Sequence, residues 1–328
     1  MRYRLLLLLL SLVLLSSATP AAAQTGSRQM ATVKLTQQRP GTSSGLQIGI
    51  DYRNPTDPAA KPFAVQRVAT TLAKGARIDT RVPQQCDLSD ADLMANGTRG
   101  CPAGSIVGNG VASFSSVDAN PTTTMDITLV NNANELIFVA ASQGSPSARL
   151  IIRSPVRGGT ITTDVPRLPA GPPDGVTAIR KVTLSIGEVS KKEGSGRLGY
   201  ITTPPECPAS GVFANAGTFR YFDGITQTVP SLSPCFDTAP PTVALAGFPR
   251  RGCVRHHVRA RVRVDDTSAL RGTVVRLNGR KLKSTKSKRF KVRVRKARMR
   301  KGRNRLTVTA VDRRGNRFVR TLRFSRCR

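Results

Sequence analysis

Residues 258–264 read VRARVRV and residues 290–295 read FKVRVR. In both, small or apolar side chains alternate with cations. An extended strand sends successive side chains to opposite faces, so Val258, Ala260, Val262 and Val264 should line a core while Arg259, Arg261 and Arg263 face water. By the same rule Phe290, Val292 and Val294 point inward, and Lys291, Arg293 and Arg295 outward. Both stretches therefore read as strands of a sheet with one wet, cationic face.

Working outward from them, strand signals fill the chain and helical periodicity is nearly absent. In the first two thirds, candidate strands cover residues 31–37, 45–52, 64–72, 106–114, 125–130, 136–141, 149–153, 160–165, 178–189 and 217–222. Segments such as RNPTDPAAKP, NNAN, PAGPPDG and KKEGSG break them, because Pro, Gly and Asn fix or free φ where strands must end. One short helix is expected at residues 90–95, with Ser89 as its cap and Gly97 at its end. GNG at residues 108–110 reads as a bulge or bend rather than a phosphate loop.

The run CFDTAPPTVAL marks a boundary, since Pro240 and Pro241 interrupt backbone hydrogen bonding. Seven short strands follow, at residues 242–245, 254–264, 273–277, 281–284, 289–295, 304–312 and 317–324, with Asn278-Gly279 as a two-residue hairpin turn. That density of strands is the signature of an immunoglobulin-like sandwich. The expectation is an all-β chain of two domains: a larger β-sandwich-like domain over residues 24–237 and a seven-stranded Ig-like sandwich over 238–328.

Charge divides the chain at the same place. The formal net charge is +33, and residues 238–328 hold 30 Lys and Arg against three acids, Asp265, Asp266 and Asp312. A surface so basic favours acidic partners.

At the N-terminus, Arg2 and Arg4 precede the apolar run 5–15, and Ala21, Ala22 and Ala23 offer an Ala-x-Ala cleavage site. This is the pattern of a secretory signal peptide over residues 1–23. The apolar run is shorter than the ~20 residues a bilayer span needs. The mature chain is expected outside the cytoplasm, secreted or at the cell surface. Its six cysteines, Cys86, Cys101, Cys207, Cys235, Cys253 and Cys327, agree with export and suggest disulfides. Sequential pairing encloses a coherent segment each time. Zinc fits poorly, because no Cys-x-x-Cys occurs and the only histidines are the adjacent His256 and His257.

DTAPPTVAL (237–245) and LTVTAVDRRGN (306–316) resemble the modular Ig-like domains of bacterial surface and secreted proteins. CDLSDADLMANGTRGCPAGSIVGNG (86–110) and TTPPECPASGVFANAGTFRYFDG (202–224) resemble a group of uncharacterised secreted actinobacterial β-rich proteins, which brings no assigned activity. The chain departs from the antibody pattern in lacking Trp. Its last two cysteines suit a clamp at one end of the sandwich rather than a bridge between central strands.

Catalytic chemistry is hard to place. A Ser or Cys nucleophile needs a base, and the two histidines would point to opposite faces of one strand. No Ser-x-x-Lys, phosphate-loop or His-Glu-x-x-His motif occurs, and no cofactor is called for. Paired carboxylates of the first domain acting on an envelope polymer remain an alternative, as does a purely structural module. In an Ig topology, Asp237, Asp265, Asp266 and Asp312 gather at one end, where with Asn316 they would offer oxygen ligands to calcium. The plainer account is that they cap turns and pair with nearby Arg.

The basic strands carry the functional expectation. The second and fifth strands of an Ig fold are neighbours, so Arg259, Arg261, Arg263, Lys291, Arg293 and Arg295 would share one face, extended by Arg298 and Arg300 in the next loop. Such a face is either merely solvated or a dock for an anionic envelope polymer, acidic polysaccharide or anionic lipid headgroups. Nucleic acid would bind in vitro without sequence preference, but the aromatic platforms of single-strand binders are missing.

Overall fold

The computed structural model describes residues 26–143, 148–170, 175–194, 196–248 and 253–327; the expected signal peptide lies outside them. The chain is all-β. Before residue 235 the main strands are β1 (Gln29–Leu35), β2 (Leu46–Tyr52), β3 (Val65–Thr71), β4 (Ile106–Ser115), β5 (Thr123–Asn132), β6 (Glu135–Ser142), β7 (Arg149–Arg157), β8 (Thr160–Asp164), β9 (Val176–Ile186), β10 (Val212–Tyr221) and β11 (Thr226–Pro234). They form one sheet in the order β1-β2-β9-β4-β5-β6-β7-β8-β3-β10-β11.

The two ends of this sheet come together. Asn215 on β10 donates to the Val33 carbonyl on β1 at 2.9 Å, and the Ser231 hydroxyl on β11 accepts from the Val33 N–H at 2.8 Å. The sheet thus doubles back, sandwich-like, over one core that includes Leu46, Tyr52, Tyr200, Phe213, Phe219 and Tyr221. Alternation along β2, LQIGIDY, buries Leu46, Ile48, Ile50 and Tyr52 in turn, which is the period-2 rule at work. Strand β11 was not among the sequence expectations. Pro230 and Pro234 argue against a strand, yet β11 is the last in the sheet order, where a missing N–H is tolerated.

Ser89 caps the helix α1 (Asp90–Asn96), its hydroxyl accepting from the Asp92 N–H at 3.1 Å, and the Cys86–Cys101 disulfide closes the same loop. The GNG stretch sits at a register irregularity of β4. A Cβ on Gly108 would lie 2.2 Å from the Ser185 carbonyl oxygen of β9, so the close approach of these strands requires glycine.

After Pro241 come β12 (Thr242–Ala246), β13 (Cys253–Val254), β14 (Val258–Asp265), β15 (Leu270–Leu277), β16 (Arg280–Thr285), β17 (Arg289–Val294), β18 (Gly302–Asp312) and β19 (Arg317–Arg326). Two sheets result, β12-β14-β17 and β13-β19-β18-β15-β16. They enclose a separate core with Val262, Val264, Val275, Val294, Leu306 and Val308. Asn278 (φ 50°) and Gly279 (φ 86°) make the expected β15–β16 turn, both in the left-handed region that a type I′ hairpin needs.

One expected strand divides. Residues 254–264 do not run through: β13 pairs in parallel with β19, then the chain bends and enters the other sheet as β14. His256 and His257 lie exposed in that bend rather than on opposite faces of a strand. The Cys253–Cys327 disulfide joins the start of β13 to the chain after β19, a clamp at one end of the sandwich.

The chain before β12 touches the opposite end. The Cys207 N–H donates to the Thr267 carbonyl at 2.7 Å, Arg314 donates to the Cys235 carbonyl at 2.8 Å, and Asn316 Nδ2 donates to the Asp237 carbonyl at 2.9 Å. The Cys207–Cys235 disulfide holds two of these anchor points together.

Candidate functional site

Register decides what the basic strands present. In the β14–β17 ladder Arg259 faces Arg293, Arg261 faces Lys291 and Arg263 faces Arg289. All six side chains are exposed, and the intervening Val258, Ala260, Val262, Val292 and Val294 are buried. Same-face residues in a strand repeat about every 6.8 Å and paired strands lie about 4.8 Å apart, so the cations form a short two-column grid. Asp265, the one acid in these strands, pairs with Arg263 at 2.8 Å. Beside the grid runs the edge strand β12, where Ala246 stands opposite Arg261 and Ala244 opposite Arg263. A trough of about 520 Å³ follows, bounded by Ala244, Ala246, Arg261, Arg263, Arg289 and Lys291. Lys283 reaches the sheet's other edge, donating to the Lys291 carbonyl at 3.1 Å.

Three of the expected cations lie outside the β14–β17 ladder. Arg295 comes one residue after β17 ends. Arg298 and Arg300 turn away to the end of the sandwich, where Arg298, Arg300, Arg280, Lys281 and Asn278 line a cavity of about 560 Å³. A neighbouring cavity of about 620 Å³ is lined by Arg300, Arg303, Arg305 and Arg323. Asn304, 3 % exposed, fixes this loop: its Oδ1 accepts from the Arg300 N–H and from Asn278 Nδ2, each at 2.8 Å, and its Nδ2 donates to the Arg300 and Gly302 carbonyls. Arg289 and the directly facing pair Arg305–Arg323 were missed from sequence. The alternation in RNRLTV and TLRF carried the signal for the pair, since Arg303, Arg305 and Arg323 are all exposed.

The acidic residues separate. Asp265 points outward to Arg263 and takes no part in a cluster. Asp237, Asp266 and Asp312 do meet, with one oxygen of each lying within 4.8 Å of the others. Asn316 donates here, its N–H and Nδ2 bonding Asp312 Oδ1 and Oδ2 at 2.8 and 2.7 Å. Burial, with repulsion from Asp237 and Asp312 added, pushes the Asp266 carboxyl up to about 6 against the pull of its Ser268 hydrogen bond.

In five of the cavities that the described residues form, one carboxylate occurs, Asp51, and Arg180 holds it at 2.8 Å. Two carboxylates set across one cleft, which the hydrolase alternative needs, do not occur in these cavities. No helix among the described residues is long and apolar enough to cross a membrane.

No protein-family model matches the chain, and no curated protein matches it in sequence. Among solved structures it is similar to the fibronectin(III)-like modules of Clostridium thermocellum CbhA, at 9% identity over 91% of this chain and 94% of that one, with a TM-score of 0.25. Dimeric latent PorU from Porphyromonas gingivalis matches at 10% identity over 92% of this chain and 34% of that one, TM-score 0.21. A 1.5-MDa bacterial ice-binding adhesin matches at 10% identity over 92% and 98%, TM-score 0.20.

Proposed function

We propose that the chain is a secreted, non-enzymatic attachment protein of two domains, residues 24–237 and 238–328, whose basic Ig-like domain docks on an extended polyanion of the cell envelope or extracellular space. The observation that carries this reading is the β14–β17 grid: three cation pairs set directly against one another, with Asp265 the one acid in the strands that bear them. Such an arrangement costs stability unless an anion neutralises it. The Ala244 and Ala246 trough beside it gives an extended chain an apolar floor under cationic walls. Export is supported by the signal-peptide pattern and by three disulfides.

The test uses long-chain inorganic polyphosphate on beads and, in parallel, isolated bacterial envelope, eluted with rising salt. The Arg261→Glu/Arg293→Glu protein should elute at markedly lower salt than wild type, because charge-driven binding falls steeply with each lost cation. Elution of both proteins at the same salt on both supports would refute the assignment of the grid as the dock.

A further inference from the structure

Asp237, Asp266 and Asp312 meet where the end of the larger core region joins the second pair of sheets. Asp237 follows Cys235 and precedes the two prolines, Asp266 comes one residue after β14, and Asp312 ends β18. Asp237 is 6 % exposed and Asp312 0 %. Carboxylates this close and this dry repel one another and forfeit hydration. Among the described residues no Lys or Arg side chain forms an ion pair with any of the three.

Hydrogen bonds occupy only part of their oxygens. Asp237 Oδ1 accepts from the Ala239 N–H at 3.0 Å, Asp266 Oδ2 from the Ser268 hydroxyl at 3.1 Å, and Asp312 from Asn316 as above. Asp237 Oδ2 and Asp266 Oδ1 are buried without a well-formed hydrogen bond, although the Thr267 N–H is near enough to favour the charged Asp266 carboxylate, and the hydroxyl of Thr267, the next residue, is buried and unpartnered too. In a folded protein such groups normally find a partner. Two charged oxygens left over in one three-carboxylate cluster are unlike the turn-capping pattern that accounts for the rest of the site.

We propose that this cluster is a calcium site that pins the segment around Asp237 to the ends of β14 and β18. The donors are hard oxygens, all six cysteines are in disulfides, and neither histidine belongs to the cluster, which is the chemistry of calcium rather than zinc. Calcium holds oxygens at 2.3–2.6 Å, so ligands across the ion lie about 4.6–5.2 Å apart; oxygens within 4.8 Å of one another can close on it with little movement. Magnesium demands a tighter octahedron and gives up its water reluctantly. The ion offsets two of the three carboxylate charges and leaves the Asn316–Asp237 and Arg314–Cys235 contacts intact. Its effect is to stiffen the junction through which the basic sheets are carried, whatever those sheets bind.

The full-length mature chain, stripped with EGTA and dialysed, is the material for the test. Calcium chloride titrated by calorimetry should bind with about one equivalent, and the melting temperature should rise with calcium concentration as linkage requires. Magnesium chloride at the same concentration should give a smaller shift. Asp266 is half-buried and its replacement by Asn keeps the shape, so Asp266→Asn should weaken calcium at least about tenfold by removing one ligand charge. Asp265→Asn, next to it but directed at Arg263, should bind as wild type. No heat and no melting shift at 10-fold millimolar excess of calcium, or equal losses in Asp265→Asn and Asp266→Asn, would overturn the proposal.

Discussion

Arg261 and Lys291 stand directly opposite each other on β14 and β17, with Arg259–Arg293 and Arg263–Arg289 as the flanking pairs. Facing like charges destabilise a sheet by up to about 1 kcal/mol per pair. Arg261→Glu turns one repulsive pair into an attractive one, so in low-salt buffer it should stabilise the protein by about 0.5–1 kcal/mol. The gain should fade at 1 M salt, where the screening length is only about 3 Å. Thermal denaturation at the two salt concentrations measures both effects. A variant less stable than wild type at low salt would mean that Arg261 has a stabilising contact the grid does not show.

The cation grid was legible in sequence because its two strands alternate without a fault, and alternation fixes facing before pairing is known. The separation of Asp265 from Asp266 was there too: Asp265 shares the outward parity of Arg261 and Arg263, and Asp266 the inward parity of Val264. Topological position alone had grouped all four acids. Less accessible was β11, where Pro230 and Pro234 hide a strand that side-chain hydrogen bonds from Asn215 and Ser231 help to seal. The change of sheet between β13 and β14 left no mark in composition, since Val254 and Val258 are both buried valines and only register distinguishes their partners.

The three disulfides should not count equally. Cys253–Cys327 closes a separation of 74 residues and Cys86–Cys101 one of 15. On the chain-entropy account the long loop is worth about 4 kcal/mol and the short one about 3. Replacing Cys253 and Cys327 together by Ser should therefore lower the urea midpoint more than the same change at Cys86 and Cys101. The loss should be compounded because β13 has only a two-residue parallel pairing to hold it. Equal midpoints in the two double variants would contradict the ranking.

Asn304→Ala should loosen the loop that carries Arg298 and Arg300. The substitution leaves the Arg300 N–H and the Gly302 and Arg300 carbonyls without their side-chain partner, at a cost of roughly 1–3 kcal/mol. Trypsin should then cut within residues 296–301, rich in Lys and Arg, faster than in wild type. Unchanged cleavage at those bonds would show that the backbone turn holds without Asn304.

The tyrosines give a readout confined to the larger core. Outside the expected signal peptide the chain has Tyr52, Tyr200 and Tyr221, and it has no Trp. All three are buried in the core before residue 235. Burial raises each phenol above its ordinary value near 10, with Tyr221 adding to the shift at Tyr52, and with Asp223 and Arg28 acting in opposite senses at Tyr221. The folded state therefore holds these protons to higher pH than the unfolded chain does. That contribution to stability is complete below about pH 10 and is lost as pH rises from there toward the folded values. Tyrosinate absorbance should lag behind free tyrosine on alkaline titration and then appear together with loss of the far-ultraviolet sheet signal. Because no tyrosine lies after residue 237, a part of the sheet signal that survives full tyrosine ionisation would belong to the basic sheets, and would show that residues 238–328 keep their fold when the larger core has opened. Ionisation near pH 10 with the sheet signal unchanged would mean the phenols are reachable in the folded protein.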